Sequence, residues 1–387
     1  MSVRRLAALL AAVSCSPSGT EREPWVWDLP AGFPAPHVPE GNAMTAAKVE
    51  LGRHLFYDKR LSHNETMACA SCHEQALAFT DGQATTEGST GHALPRNAMS
   101  LGNVAYLSVY TWANPKLADL EEQALVPMFA DFPLELGTQL ETPKIVRRFA
   151  DDPVYQQLFA EAFPEDADPF TTERIVLAIA SFERTLISGD APYDRFVYAG
   201  DATAMSAAAR RGMDLFFSER AECYHCHAGP NFSTSFRSDT SEAGPPDFQN
   251  NGLYNLDAAG AYPPGNSGLF EFTGEPRDQG KFRVPTLRNI ELTAPYMHDG
   301  SITTLAEVVE HYNAGGRTIT DGPLAGDGRM NPNKSPLVFS LGLGDQEKAD
   351  LVAFLESLTD DAFITDPRFA APATLVPARQ ASVRGPR

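Results

Sequence analysis

The sequence predicts a mainly α-helical chain with long loops and little β-structure, built from two related domains in tandem. Three observations predict it. A C-x-x-C-H motif occurs twice, as Cys69-Ala70-Ser71-Cys72-His73 and as Cys223-Tyr224-His225-Cys226-His227. A similar lead-in precedes each motif, Gly52-Arg53-His54-Leu55-Phe56 and Gly212-Met213-Asp214-Leu215-Phe216, reading as the end of a short helix that runs into a loop. Apolar residues recur at helical spacing, with few clean strand alternations: Ile175, Ile179, Phe182 and Leu186, then Leu351, Phe354, Leu355 and Leu358. The 29 glycines and 30 prolines fit long ordered loops.

In chain order, residues 1–15 read as an export signal. Arg4 and Arg5 precede an apolar run from Leu6 to Val13, and Ser14 precedes Cys15. The run is too short to span a bilayer. The small residue before Cys15 makes it the expected lipid-bearing first residue of the mature protein; an ordinary signal peptide with an incidental cysteine is the alternative. Residues 16–40 read as a tether, 41–195 as the first domain and 196–365 as the second. Residues 366–387, rich in Ala, Pro and Arg without a period, read as a flexible tail. Helix starts are marked by Thr142-Pro143, by Thr171 or Thr172, and by a capping box of Thr304 and Glu307.

The paired motifs carry the chemistry. In C-x-x-C-H the thiols form thioethers to haem vinyl groups, and the histidine ligates the iron. The two copies use four of the chain's five cysteines. Disulfides, a zinc site and thioredoxin-like pairs are the alternatives, but zinc gives no reason for a histidine after each pair. The expected architecture is therefore two cytochrome-c-like domains, each with one covalent c-type haem on the periplasmic side of a bacterial membrane. With 31 basic and 50 acidic residues the net charge is −19. That argues against nucleic acid and anionic membrane surfaces as partners and suits a basic, polar or small one.

From Met44 to Leu358 the sequence resembles the bacterial dihaem cytochrome c peroxidase and MauG family. The markers are the two motifs, the segment from Trp112 to Pro127, and Phe282 to Tyr312 with its His298-Asp299-Gly300. The resemblance implies an N-terminal haem that reacts with hydrogen peroxide and a C-terminal haem that stores or relays electrons. Conventional peroxidases of the family carry a Met ligand about fourteen residues past His-Asp-Gly; counting from His298, this chain has Tyr312. MauG-like enzymes have Tyr there. The helix after the capping box sets Leu305, Val308 or Val309, and Tyr312 on one inward face, with His311 off it. Met297 and Met330 are rival ligands, and a core aromatic is the bland reading of Tyr312. A phenolate favours Fe(III) and higher states, where a thioether favours Fe(II).

The resemblance carries further residues. Glu135 corresponds to the distal-pocket acid, although the family usually has Glu-Met-Gly where this chain has Glu135-Leu136-Gly137. Gln123 and Pro127 correspond to pocket residues, and Trp112 to the tryptophan between the haems, with a plain core anchor as its alternative. Asn97 and the carbonyls of Thr293 and Pro295 correspond to an interhaem calcium site, whose oxygen donors suit Ca²⁺. Arg288 is expected either to pair with haem propionates or to form a structural salt bridge. His92 alone among histidines occupies the loop from Thr80 to Met99; it reads as a loop residue, leaving the N-terminal iron open.

The stretches around Ala47–Asp58, Cys69–Gly82, Pro95–Tyr106 and Thr111–Pro115 resemble the MbnH subgroup, linked to methanobactin-type copper systems. That resemblance implies a high-valent dihaem state that oxidises Trp to kynurenine in a small secreted copper-binding partner, MbnP-like. A conventional peroxidase fed by a small cytochrome or cupredoxin is the alternative, and a non-catalytic dihaem electron carrier the third reading.

Overall fold

The computed structural model describes residues 25–375 apart from 242–243 and 245–246. Cys15, and with it the expected signal, lies outside the described residues.

The architecture is helical. The first half holds α1 (Ala46–Tyr57), α2 (Leu120–Phe129), α3 (Thr142–Ala150), α4 (Pro153–Ala162), α5 (Thr172–Glu183) and α6 (Pro192–Val197). The second holds α7 (Ala207–Phe216), α8 (Phe270–Thr273), α9 (Leu305–Asn313) and α10 (Asp345–Glu356). Among the described residues sheet is confined to two antiparallel ribbons, β1 (Phe248–Gln249) with β2 (Phe282–Arg283), and β3 (Thr318–Ile319) with β4 (Gly326–Asp327). Long loops join these elements.

Local chemistry explains the helix starts. The Thr45 hydroxyl accepts from Lys48 N, and Thr171 accepts from Arg174 N. In α9 Thr304 and Glu307 form the reciprocal capping box. α3 differs from expectation by one residue. Thr142 is its first helical residue and Glu141 stands at the cap. The Thr142 hydroxyl donates to the Thr138 carbonyl at 2.9 Å instead of capping the turn ahead.

The duplication seen in the motifs extends to helix packing. α1 crosses α5 where Gly52 faces them: a Cβ there would lie 1.9 Å from the Ala178 carbonyl oxygen and 2.9 Å from Phe182 Cβ. α7 crosses α10 at Gly212, where a Cβ would lie 1.9 Å from the Asp350 carbonyl oxygen and 2.8 Å from Phe354 Cβ. The phenylalanine four residues on from each glycine then packs against a ring of the partner helix, Phe56 edge-on to Phe182 at 5.2 Å and Phe216 tilted on Phe354 at 5.0 Å. The two largest apolar clusters among the described residues lie beside these crossings, with Phe56 and Phe182 in a smaller third one. One is centred on Leu51, Phe149, Phe159 and Ile175, the other on Phe216, Phe232, Leu351 and Phe354.

The loops repeat as well. Asn103 and Asn289 both sit at φ 58 ahead of a 3-10 turn. Asn103 N donates to Leu186 O, and Asn289 N to Leu358 O. Ser100 Oγ donates to Ala78 O, and Thr286 Oγ1 to Asn231 O. By this register Arg283 corresponds to Asn97 and Arg288 to Gly102.

The segments expected as tether and tail pack against the fold in their described parts. Phe33 is buried, and the Tyr106 hydroxyl donates to Pro34 O. Phe369 is buried, with its carbonyl accepting from the Tyr57 hydroxyl at 2.7 Å. Apolar side chains in both segments give them something to bury, which composition alone conceals. No helix among the described residues is long and apolar enough to cross a membrane.

Candidate active site

Each C-x-x-C-H motif forms a 3-10 turn, Cys69–Ser71 and Cys223–His225, which swings the histidine back under the cysteines. His73 N donates to Cys69 O at 3.1 Å and His227 N to Cys223 O at 2.9 Å. The rings are then fixed by matching contacts. His73 Nδ1 lies 2.8 Å from Phe79 O, and His227 Nδ1 lies 3.0 Å from Phe232 O. A carbonyl can only accept, so each Nδ1 carries the proton and each Nε2 presents a lone pair. Phe79 and Phe232 both adopt positive φ, 62° and 47°, to aim those carbonyls. Burial holds both imidazoles below the usual histidine range, hence neutral.

The four motif thiols are unpaired. Burial pushes Cys72 and Cys223 up to about 12 and Cys226 up to about 11, and raises Cys69 too. Reactive redox pairs have depressed thiol pKa values, so a thioredoxin-like role does not fit. A shared zinc site does not fit either. Among the described residues the group of metal-capable side chains close enough for one ion is Glu219, Glu222 and His225, with no motif cysteine in it. Reduced thiols beside a neutral imidazole with its Nε2 free do suit a haem.

Around the second motif lies a cavity of about 250 Å³. Cys223, Cys226 and His227 line it, and so do Leu305, Val308 and Tyr312 of α9. Burial pushes the Tyr312 phenol up to about 12. His311 points elsewhere: it is buried, with Nε2 3.0 Å from Asn251 O. Met330 is 72% exposed and is no ligand. Met297 also lines the cavity, its Sδ accepting from Asn251 Nδ2 at 3.3 Å.

Trp112 lines the same cavity and is clamped by the two duplicated segments. Its indole Nε1 donates to Asn97 O at 2.8 Å, and its own carbonyl accepts from Arg283 N at 2.8 Å. Asn97 N in turn donates to His298 O, and the Trp112 ring lies 6.5 Å from the His298 ring. Asn97, Thr293 and Pro295 are brought together on this cavity wall.

Arg288 forms the salt bridge that is one of its two expected roles, and it also lines the cavity. Its guanidinium, 1% exposed, pairs with Asp194 at 2.5 Å and donates twice to Pro230 O. Those bonds engage three of its five N–H donors and neutralise its charge internally.

At the first motif, α2 carries Gln123 and Pro127, and the following loop folds back over it. Leu136 N donates to Pro127 O, Ser89 N to Glu135 O, and His63 N to Leu136 O. These bonds seat Glu135 within electrostatic reach of Cys72 and Cys69. Desolvation pushes its carboxyl up to about 7. His92 is exposed, its Nδ1 2.9 Å from the Thr90 hydroxyl.

Two residues at these sites escaped the sequence reading. Glu183 on α5 is buried with one carboxyl oxygen unpartnered, and burial pushes it up to about 8. Arg283 is buried and lines the cavity. The matching of Arg283 to Asn97 was available in the duplicated S-L-G-N and T-L-R-N segments.

The fold and these two motifs define a helical haem oxidoreductase. Residues 46–203 match the family model described as di-haem cytochrome c peroxidase. The chain is 37% identical to the cytochrome-c peroxidase IdrP1 of Denitromonas iodatirespirans, over 94% of this chain and 95% of that one. It is 33% identical to the methylamine utilization protein MauG of Methylorubrum extorquens, over 86% and 84%. It therefore belongs to the di-haem cytochrome c peroxidase and MauG family, and is an oxidoreductase that takes peroxide as acceptor. Among solved structures it is similar to a MauG-like protein associated with microbial copper homeostasis, at 49% identity and a TM-score of 0.88, covering 90% of this chain and 99% of that one. The diheme peroxidase BthA of Burkholderia thailandensis shares the fold, at a TM-score of 0.64.

Proposed function

We propose that this chain uses hydrogen peroxide to oxidise a partner protein at long range, through two covalently bound c-type haems in two cytochrome-c-like domains. Cys69, Cys72 and His73 would hold the first haem; Cys223, Cys226, His227 and Tyr312 would hold the second. The observation that carries the reading is Tyr312 lining the same cavity as His227, while His311 is engaged elsewhere and Met330 is exposed. The haems supply the redox chemistry when bound. An anionic oxygen ligand favours the oxidised side of the couple, which makes the second site a poor acceptor from a high-potential cytochrome and a good store for an oxidising equivalent.

The chain's own residues divide the remaining work. Glu135, with its carboxyl near 7, takes the proton from one peroxide oxygen and returns it to the other. Gln123 and Pro127 shape the pocket beside it. Trp112, hydrogen-bonded at both ends, is a fixed aromatic bridge between the sites. The Asn97 amide nitrogen donates to Gln83 O, which leaves the amide oxygen to join the Thr293 and Pro295 carbonyls around a Ca²⁺.

The partner is of the MbnP-like class, a small secreted copper-binding protein whose Trp is converted to kynurenine. The association of the 49%-identical neighbour with microbial copper homeostasis supports this choice. The enzyme would act in the periplasm, with a lipid anchor at Cys15. Met297 on the same cavity wall keeps a conventional peroxidase as the competing outcome.

The test is spectroscopic. The diferric protein should show one high-spin and one low-spin haem, and peroxide without a donor should convert both to a long-lived oxidised state. Tyr312→Phe should change the low-spin spectrum. Two low-spin haems inert to peroxide until reduced, or a Tyr312→Phe spectrum identical to wild type with Met297→Leu altering it, would favour the conventional peroxidase instead.

A further inference from the structure

Among the described residues three arginines are almost wholly buried: Arg184 at 2% exposure, Arg283 at 3% and Arg288 at 1%. Two have carboxylates. Arg184 pairs with Glu121 at 2.8 Å and Arg288 with Asp194. Arg283 has none among the described residues. Its Nε donates to Thr111 O at 2.9 Å, one terminal nitrogen lies 3.4 Å from Val284 O, and the other meets Met99 Sδ at 3.2 Å. All three acceptors are neutral, and a guanidinium has five N–H donors.

A buried cation without a counter-charge is costly, and proteins keep one only where something anionic meets it. The cavity that Arg283 lines does not supply that charge. Its one lining carboxylate is Glu222, which faces His225 at 2.7 Å. The planar fork of a guanidinium matches a carboxylate in two parallel bonds. The cation is also one-sided in the duplication, since the corresponding residue of the first half is the neutral Asn97.

We propose that Arg283 binds a propionate carboxylate of the haem held by His227, and so anchors that haem to the segment carrying Trp112. The anchor is direct, because Arg283 N donates to Trp112 O while its side chain donates to Thr111 O. Arg283 is thus a positioning residue that ties the second haem to the bridge. Of the two arginines five residues apart, Arg283 is the one without an internal anion. This inference rests on the dihaem reading.

The test uses the full-length holoprotein. A haem count by pyridine haemochrome comes first: a wild-type value other than two per chain refutes the dihaem reading whatever Arg283 does. Arg283→Gln and Arg283→Lys are then compared with wild type by resonance Raman in the propionate-bending region and by redox titration at alkaline pH, where an unpaired propionate stays ionised. Arg283→Gln should shift the propionate band and lower the reduction equilibrium of the second haem about tenfold, about 59 mV for a one-electron couple. Arg283→Lys should keep the potential near wild type. Arg283→Gln matching wild type in both readouts, or Arg283→Lys shifting as far as Arg283→Gln, would each overturn the proposal. If Arg283→Gln loses the second haem, retention of both haems by Arg283→Lys supports the proposal, and equal loss overturns it.

Discussion

Glu135 shows how a loop carboxyl acquires a working pKa. Ser89 N, Pro127 O and His63 N pin the main chain at positions 135 and 136, so the side chain is held in a desolvated place near the first motif. Its carboxyl, pushed up to about 7, is protonated below that pH and cannot act as a base there. The wild-type rate of reaction with peroxide should therefore fall as pH falls through about 7. Glu135→Gln should slow that reaction about 100-fold, within the range for loss of one acid–base group, and abolish the pH step while leaving both haem spectra unchanged. Stopped-flow mixing with peroxide across pH checks both. Glu183 makes a stability statement instead. Burial raises it from an ordinary 4.5 to about 8, so the folded state binds the extra proton. Its contribution is fully present below about 4.5 and is lost as pH rises through about 8. Glu183→Gln should flatten the fall in melting temperature across that window, and thermal unfolding at a series of pH values measures it.

The decisive element is the glycine-marked helix crossing, which occurs twice. At Gly52 and at Gly212 a methyl group would collide with a backbone carbonyl oxygen, which cannot rotate away as a side chain can. Gly52→Ala and Gly212→Ala should each destabilise the fold by about 1–3 kcal/mol or more, the range for overpacked cores. Denaturant unfolding checks this, and similar losses at the two positions would reflect the equivalence of the crossings. The shared lead-in was legible because glycine, leucine and phenylalanine recur at the same intervals before each motif. The cap of α3 was not, because the Thr142 hydroxyl finds a carbonyl four residues back. The phase of α9 was legible: its capping box set it and put Tyr312 with Leu305 and Val308 on the cavity side, whereas the burial of His311 against Asn251 was not.

At the scale of the whole molecule, the net charge of −19 sets how partners approach. A basic protein partner should be oxidised more slowly as ionic strength rises, because screening removes the steering attraction. Reaction with peroxide, which is uncharged, should not change with salt. Measuring both rates over a salt series separates docking from chemistry, and a partner reaction indifferent to salt would exclude a charge-steered encounter.

The sequence by itself determined the two haem motifs, their shared helix context, the helical class and the phase of α9. All of these depend on spacing along the chain, which local stereochemistry reads directly. Only the tertiary structure decided how the halves divide their buried charges. Arg283 and Arg288 lie five residues apart in one segment with the same side chain, and nothing local distinguishes them. Arg288 meets Asp194, ninety-four positions away, and Arg283 meets only neutral acceptors beside Trp112. Which arginine is already neutralised depends on what the fold brings alongside it, and that is long-range packing rather than sequence pattern.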